Sequence, residues 1–360
     1  MKRRKFIKHL GSGSIVAGAT LSAPSMLHAK EQIRWKMVTA WPKNFPGLGT
    51  NANLLAALIE EMSGGRIKVK VYGAKELVPA FEVFDAVSRG TAEMGHAGAY
   101  YWKGKSEAVQ FFSSVPFGLT AQEMNAWLYY GGGMELWREL YDPFGLVPAA
   151  TGNSGVQMAG WFNREINTVD DLKGLKMRIP GLGGEVLQRA GGTPVTIPGG
   201  ELFTALQSGT IDATEWVGPY NDLAFGFYKV AKYYYYPGWH EPGTTMECMI
   251  NKKAFNALPK DLQAIVLNAC KAANMDMLAE FTARNNQALE TLVDKHNVQL
   301  KALPDPVLKK LHELSNAVVL ELADKDPMAK KIYQSFSQFR KQVIGWEKVS
   351  EQAYLRARTL

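Results

Sequence analysis

The sequence predicts an α/β protein of two lobes with a cleft between them and a long C-terminal helix. Three observations predict it. Short strand-like runs alternate with helical ones, the alternation occurs twice along the chain, and 360 residues are more than one core usually holds.

In the first unit residues 32–39 read as a strand and 51–62 as a helix, followed by a strand over 66–72, where Ile67, Val69 and Val71 alternate with lysines, and a helix over 80–89. The pattern resumes after Thr151 with a strand over 156–163, a helix start at Thr168-Val169-Asp170-Asp171-Leu172, and a strand over 174–179. A helix over 184–190, a strand over 193–197 and a helix over 200–208 complete the second unit. A strand over 244–251 and a long helical period over 260–297 supply the material that returns the chain to the first unit. The predicted division is therefore lobe I from 30–152 plus 244–300 and lobe II from 153–243 plus 301–327, with Glu241, Pro242 and Gly243 at a crossing. Residues 328–360 form the terminal helix. Its apolar stripe, Ile332, Phe336, Phe339, Val343 and Trp346, needs a partner surface, either its own lobe or a second copy of the chain, which makes it a candidate dimerisation element.

The N-terminus carries Lys2, Arg3, Arg4, Lys5 and Lys8 ahead of an uncharged stretch from Gly11 to Ala23, the charge layout of an export signal too short to span a bilayer. The Arg3-Arg4-Lys5-Phe6-Ile7-Lys8 run resembles the twin-arginine pattern, and cleavage is placed after Ala29, giving a signal peptide of residues 1–29 and a periplasmic mature protein. Removing those residues takes away five basic side chains and no acidic ones, so the formal charge of +7 falls to +2. The mature chain has no basic block with interleaved aromatics, which excludes a nucleic-acid partner, and no later apolar run long enough for a membrane span. Cys248 and Cys270 are the only cysteines. They lack metal-type spacing, and either one disulfide or two buried thiols is compatible with them.

At Lys173-Gly174-Leu175-Lys176-Met177-Arg178-Ile179-Pro180, at Leu202 to Trp216 and at Phe84 to Gly90 with Glu93-Met94-Gly95, the chain resembles the periplasmic binding subunits of tripartite ATP-independent periplasmic (TRAP) transporters, of the DctP type. The Glu215-Trp216 pair and the Trp239-His240-Glu241-Pro242 turn are similar to the branch that binds 2-oxo acids and lactate together with a metal cation. The resemblance implies a two-lobed periplasmic-binding-protein-like fold and capture of a small organic monocarboxylate for a TRAP membrane permease, without catalysis.

From spacing alone Arg178 falls on the polar side of the alternation Leu175, Met177, Ile179, where a solvated arginine is the ordinary reading. The resemblance implies that it holds the substrate carboxylate, a task suited to a guanidinium that donates two parallel hydrogen bonds and never loses its charge. Gln157, an edge amide by default, is implied to reach both ligand and cation through its carbonyl oxygen, and Asn153 is a further substrate-binding candidate beside it. Two carboxylates, Glu215 and Glu241, would repel an anionic ligand unless a cation lay between them. Oxygen ligands from Glu215, Glu241, Gln157 and the Trp216 carbonyl suit Na⁺ or Ca²⁺, with Trp216 also facing the substrate. Tyr100 or Tyr101 closes over the ligand from the first lobe. The alternative is a periplasmic hydrolase built on Glu215 and Glu241. The histidines, among them His96 and His240, have no metal-ligand spacing, and no nucleophile elbow or dinucleotide fingerprint appears.

Overall fold

The computed structural model describes residues 32–360, so the signal peptide expected over 1–29 lies outside the described residues. In chain order the strands are β1 (Ile33–Thr39), β2 (Ile67–Tyr72), β3 (Met94–Gly98), β4 (Leu146–Asn153), β5 (Gly160–Phe162) and β6 (Lys176–Arg178). They continue with β7 (Thr193–Val195), β8 (Ala213–Thr214), β9 (Tyr233–Tyr236), β10 (Thr245–Asn251) and β11 (Gln299–Ala302). The α-helices are α1 (Leu48–Met62), α2 (Val83–Ser88), α3 (Ala121–Tyr130), α4 (Gly133–Tyr141), α5 (Gly181–Arg189) and α6 (Leu202–Gln207). After them come α7 (Pro219–Phe225), α8 (Lys252–Asn256), α9 (Lys260–Glu290), α10 (Asp305–Asp324), α11 (Pro327–Glu347) and α12 (Glu351–Ala357).

These strands form two sheets. The first has the order β2-β1-β3-β10-β4, with β1 parallel to β2 and β3, and β10 antiparallel to both of its neighbours. Its register sets Trp35 beside Val69 and Arg34 beside Lys68, so alternation sends one face inward. That face packs with Leu55 and Ile59 of α1 and with Val266 and Cys270 of α9 into one apolar cluster. The second sheet has the order β11-β9-β5-β8-β6-β7. It mixes parallel β6–β7, β6–β8 and β9–β11 pairs with antiparallel β5.

The chain passes between the sheets three times: from β4 to β5, from β9 to β10, and through α9 to β11. The first two crossings run side by side. Gln157 donates its N–H to the Glu241 carbonyl (3.1 Å) and accepts from the Gly238 N–H (2.8 Å), and Ser154 donates to the Thr244 carbonyl (3.0 Å). Helix α9 packs against β4, α1 and α7, and so ties both sheets together.

Several elements differ from the sequence reading, each for a local reason. Of the strand expected over 156–163 only Gly160–Phe162 pairs with the sheet, because the peptide of Gln157 is bonded to the neighbouring crossing. Strand β4 went unread: it is buried along nearly its whole length, so it shows no alternation, and Pro148 and Gly152 weaken its strand character. The start at Thr168 is a real capping box with Asp171, yet it caps a single 3₁₀ turn. The helix expected to reach 297 stops at Glu290, passes through a π turn at Thr291–Lys295, and ends at Asn297 with φ 55° before β11 joins β9. Strand β11 begins at Gln299, so the return to the second sheet comes earlier than residue 301.

The terminal stripe is only half covered. Ile332 and Phe336 of α11 are buried against Phe111 and Trp127, while Trp346 is 65% exposed, and Val349, Tyr354 and Leu355 beyond it are exposed too. Cys248 and Cys270 are both buried free thiols.

Candidate functional site

The described residues bring the sequence candidates together at the two crossings. Arg178, the last residue of β6, is 1% exposed, not solvated as spacing alone suggests. Residue 178 shares the register of Thr214, so the chain leaving β8 delivers Glu215 directly onto it. The Arg178 guanidinium donates through Nη1 to Glu215 Oε1 and to the Glu215 carbonyl (3.3 Å), and through Nε to the Ile197 carbonyl (3.2 Å). Its Nη2 reaches across to the Tyr101 hydroxyl (3.1 Å). Burial pulls the Arg178 pKa down, but Glu215, the two tyrosines and Glu241 more than reverse it and hold the charge firmly.

Glu215, His240 and Glu241 form one buried group whose ligating atoms lie within 4.8 Å of one another. His240 Nε2 is 3.5 Å from Glu215 Oε2. Glu241 accepts from the Thr244 hydroxyl (2.6 Å), and burial together with repulsion from Glu215 pushes its carboxyl up to about 7. Tyr100 packs its Cβ about where a side chain on Gly181 would stand, 3.2 Å from an ideal Cβ there, so the first sheet's 3₁₀ turn Ala99–Trp102 meets the start of α5. Burial and the nearby carboxylates keep both Tyr100 and Tyr101 in the phenol form.

The buried polar atoms of this group that lack a hydrogen-bond partner are of both kinds, acceptors and donors. Gln157 Oε1 and Glu215 Oε2 are acceptors only and accept no hydrogen bond, Trp216 Nε1 is a donor only, and neither ring nitrogen of His240 is hydrogen-bonded, the approach of Nε2 to Glu215 Oε2 stopping at 3.5 Å. Left empty, each would carry a desolvation cost of about 1–3 kcal/mol. Acceptor-only oxygens beside two carboxylates fit a hard cation, and a lone indole N–H beside a guanidinium fits an anion. Gln157 Nε2 is meanwhile fixed by the Ser154 hydroxyl (3.0 Å), which orients Oε1 away from it. Asn153 has no free polar atom. It donates to the Gly243 carbonyl (3.2 Å) and Thr245 Oγ1 (3.3 Å) and accepts from the Gly155 N–H (2.9 Å), acting as a strut between the crossings.

Three residues that sequence reasoning passed over support the site. His240 was set aside for want of metal spacing, although it adjoins Glu241 in the sequence. Asp222 accepts from Trp161 Nε1 (3.0 Å), the Tyr234 hydroxyl (2.7 Å) and the Val217 N–H (3.4 Å), fixing the segment after Trp216, and burial pushes it up to about 7. Glu247, in the otherwise apolar β10, accepts from Trp102 and from the Tyr141 hydroxyl (2.7 Å), which anchors the turn bearing Tyr100 and Tyr101. Burial raises it to about 7 as well. A carboxylate inside an apolar strand was the available signal. Across the cleft, Trp41 donates to His96 Nδ1 (2.8 Å), His96 Nε2 meets Asn51 Oδ1 (2.9 Å), and the oriented Trp41 ring stands edge-on to Trp216 at 6.1 Å.

Residues 37–326 match the family model for bacterial extracellular solute-binding proteins of family 7, DctP. A monocarboxylate 2-oxoacid-binding periplasmic protein of Nostoc sp. PCC 7120 is 42% identical over 358 residues, 98% of each chain. A TRAP periplasmic solute-binding protein of Colwellia psychrerythraea, solved with bound calcium and pyruvate, superposes with a TM-score of 0.88 at 46% identity over 91% of this chain and all of that one. One from Pseudoalteromonas atlantica T6c, solved with sodium and pyruvate, gives 0.88 and 46% over 91% and 99%.

Proposed function

The chain belongs to the bacterial extracellular solute-binding proteins of family 7, and from that premise we propose that it captures a pyruvate-like monocarboxylate, a 2-oxo or 2-hydroxy acid, together with Ca²⁺ or Na⁺. It is a transport protein of the periplasm that works with a TRAP permease, not an enzyme, so the hydrolase reading of Glu215 and Glu241 is set aside.

The observation that carries the ligand reading is the mixed set of unpartnered buried atoms around Arg178, acceptors and donors in one group. Relatives solved with a cation and pyruvate support it. In this reading Gln157 Oε1, Glu215, Glu241 and the Trp216 carbonyl hold the cation, whose charge offsets the two carboxylates so that an anion is tolerated beside them. Arg178, with the Tyr101 hydroxyl and the Trp216 N–H, receives the carboxylate, and Tyr100 excludes water. Asn153 acts through the crossing rather than on the acid. Export by the twin-arginine route, supported by Arg3-Arg4-Lys5-Phe6, and pairing through the uncovered end of the terminal helix belong to the same proposal.

The test is calorimetric titration of pyruvate and lactate into chelated, desalted protein, with and without Ca²⁺ or Na⁺. Binding should require a cation, and ligand at one hundred times its Kd should add about 2.7 kcal/mol of stability. Equal affinity in the absence of any cation would refute the joint site.

A further inference from the structure

Phe117 has φ 53°, a left-handed conformation that a residue with a β-carbon disfavours. Something must hold it there. Its carbonyl accepts two hydrogen bonds from one guanidinium, Arg340 Nε (3.2 Å) and Nη2 (2.8 Å), on α11. Its N–H donates to the Trp239 carbonyl at 2.8 Å. The Phe117 ring leans on Trp239 at 5.9 Å and meets the edge of His312 on α10 at 4.9 Å. The next residue is pressed onto the same helix, since a Cβ on Gly118 would stand 3.3 Å from Phe336.

Trp239 opens the turn that carries His240 and Glu241. Gln157 ties this turn on one side, through the Gly238 N–H and the Glu241 carbonyl, and Phe117 ties it on the other. A left-handed phenylalanine held from the C-terminal helix is therefore one of the supports of the segment bearing Glu241. Strain of this kind persists where the surroundings over-determine it.

We propose that Arg340 is a positioning residue of the binding centre: by holding the Phe117 carbonyl it keeps the Phe117 N–H on Trp239 and so sets His240 and Glu241 against Glu215. Without the guanidinium, Phe117 relaxes towards negative φ, its peptide turns, and the Trp239 carbonyl loses its donor. The terminal helix thereby acts on the cation site from outside it, a role separate from any pairing of its exposed end. The inference rests on the reading of Glu215 and Glu241 as cation ligands.

The test uses the full mature protein, titrated with Ca²⁺ in the presence of saturating pyruvate. Arg340→Met should weaken Ca²⁺ affinity about tenfold, the scale of one lost charge-assisted hydrogen bond. Arg340→Lys, which keeps the charge and one donor, should lose less. Phe117→Gly removes the conformational penalty and should restore most of the affinity when combined with Arg340→Met. Lys331→Met, which breaks the exposed Lys331–Glu139 pair (2.6 Å) on the same helix, should leave Ca²⁺ binding unchanged. Wild-type affinity in both Arg340 variants, or failure of Phe117→Gly to rescue, overturns the proposal. A wild-type protein that binds neither Ca²⁺ nor pyruvate overturns the underlying reading instead.

Discussion

Replacing Arg178 by Met should move acid and cation affinity in opposite directions. The side chain is 1% exposed and supplies the one permanent positive charge bonded to Glu215. Losing a charged donor in a buried site costs about 2–5 kcal/mol, so acid affinity at saturating Ca²⁺ should fall between roughly thirtyfold and several thousandfold. For the cation, the same deletion removes a repulsive neighbour. For a divalent ion at ~5 Å and an effective dielectric of about 20 that repulsion is roughly 7 kcal/mol, and if relaxation leaves a third to a half of it, Ca²⁺ should bind about fiftyfold to several hundredfold tighter in the absence of acid. The titrations belong at pH 8, above the value of about 7 to which Glu241 is raised, so that protons do not compete for the site. Arg178→Lys restores charge without the fork, so cation affinity should return to the wild-type value while acid affinity recovers only in part. Without cation, Arg178→Met should also be destabilised by about 3 kcal/mol, because Glu215 is left buried and unpaired, and Ca²⁺ should reverse most of that loss. A variant that binds acid within threefold of wild type refutes the carboxylate role. One that loses acid and Ca²⁺ in parallel refutes the charge argument.

Asp222, Glu241 and Glu247 are each raised to about 7 in the folded chain, chiefly by burial, so between roughly pH 4 and 7 folding takes up protons. The cation-free protein should therefore lose thermal stability as pH rises through that window and level off above it. Added Ca²⁺ should stabilise most at pH 8, where Glu241 is ionised; a melting temperature that rises from pH 5 to 8 without cation contradicts this. Amide exchange should slow at Gln157, Gly238 and Glu241 on Ca²⁺ addition alone, since these peptides bond to one another beside the centre. A chain ending at Asp326 removes the half-exposed terminal stripe, and sedimentation should show a dimer becoming a monomer; a monomer in both forms rejects pairing. Exchanging Arg3 and Arg4 for lysine should stop processing, and normal accumulation of the mature form outside the cytoplasm rejects twin-arginine export.

The alternation of β1 and β2 was legible because one face of each is buried and the other solvated, whereas β4 offered no period to read, being enclosed on both sides. Gln157 shows how a strand-like composition is overridden: its peptide bonds to the other crossing at Gly238 and Glu241, partners more than eighty positions away that no local window contains. Arg178 is the sharpest case. Its place in the alternation was right, and the inference that the polar face is solvated was not, because Glu215 and Tyr101 fill that face with partners drawn from elsewhere in the fold. The residue types needed for a joint anion and cation site could be named from family likeness. The unpartnered state of Gln157 Oε1, Glu215 Oε2 and the His240 ring could not, since it depends on which neighbours fail to reach them.

Those atoms are shared unequally between the two lobes. Gln157 lies on the first crossing, His240 and Glu241 on the second, Glu215 and Trp216 just beyond β8, and Arg178 at the end of β6. From the first sheet's side come Tyr101, through a hydrogen bond to Arg178, Tyr100, through a packing contact on Gly181, and Trp41 and Phe45, whose rings stand edge-on to Trp216. On the proposed reading a cation among these carboxylates would therefore be held mainly by the two crossings and the second lobe. Arg178 Nη2 lies within reach of the Tyr101 hydroxyl, so on the same reading the first lobe contributes that contact and the exclusion of water rather than the site's charge. The charged groups that would set affinity then stand on the second lobe and the crossings, and the first lobe adds a hydroxyl and apolar cover.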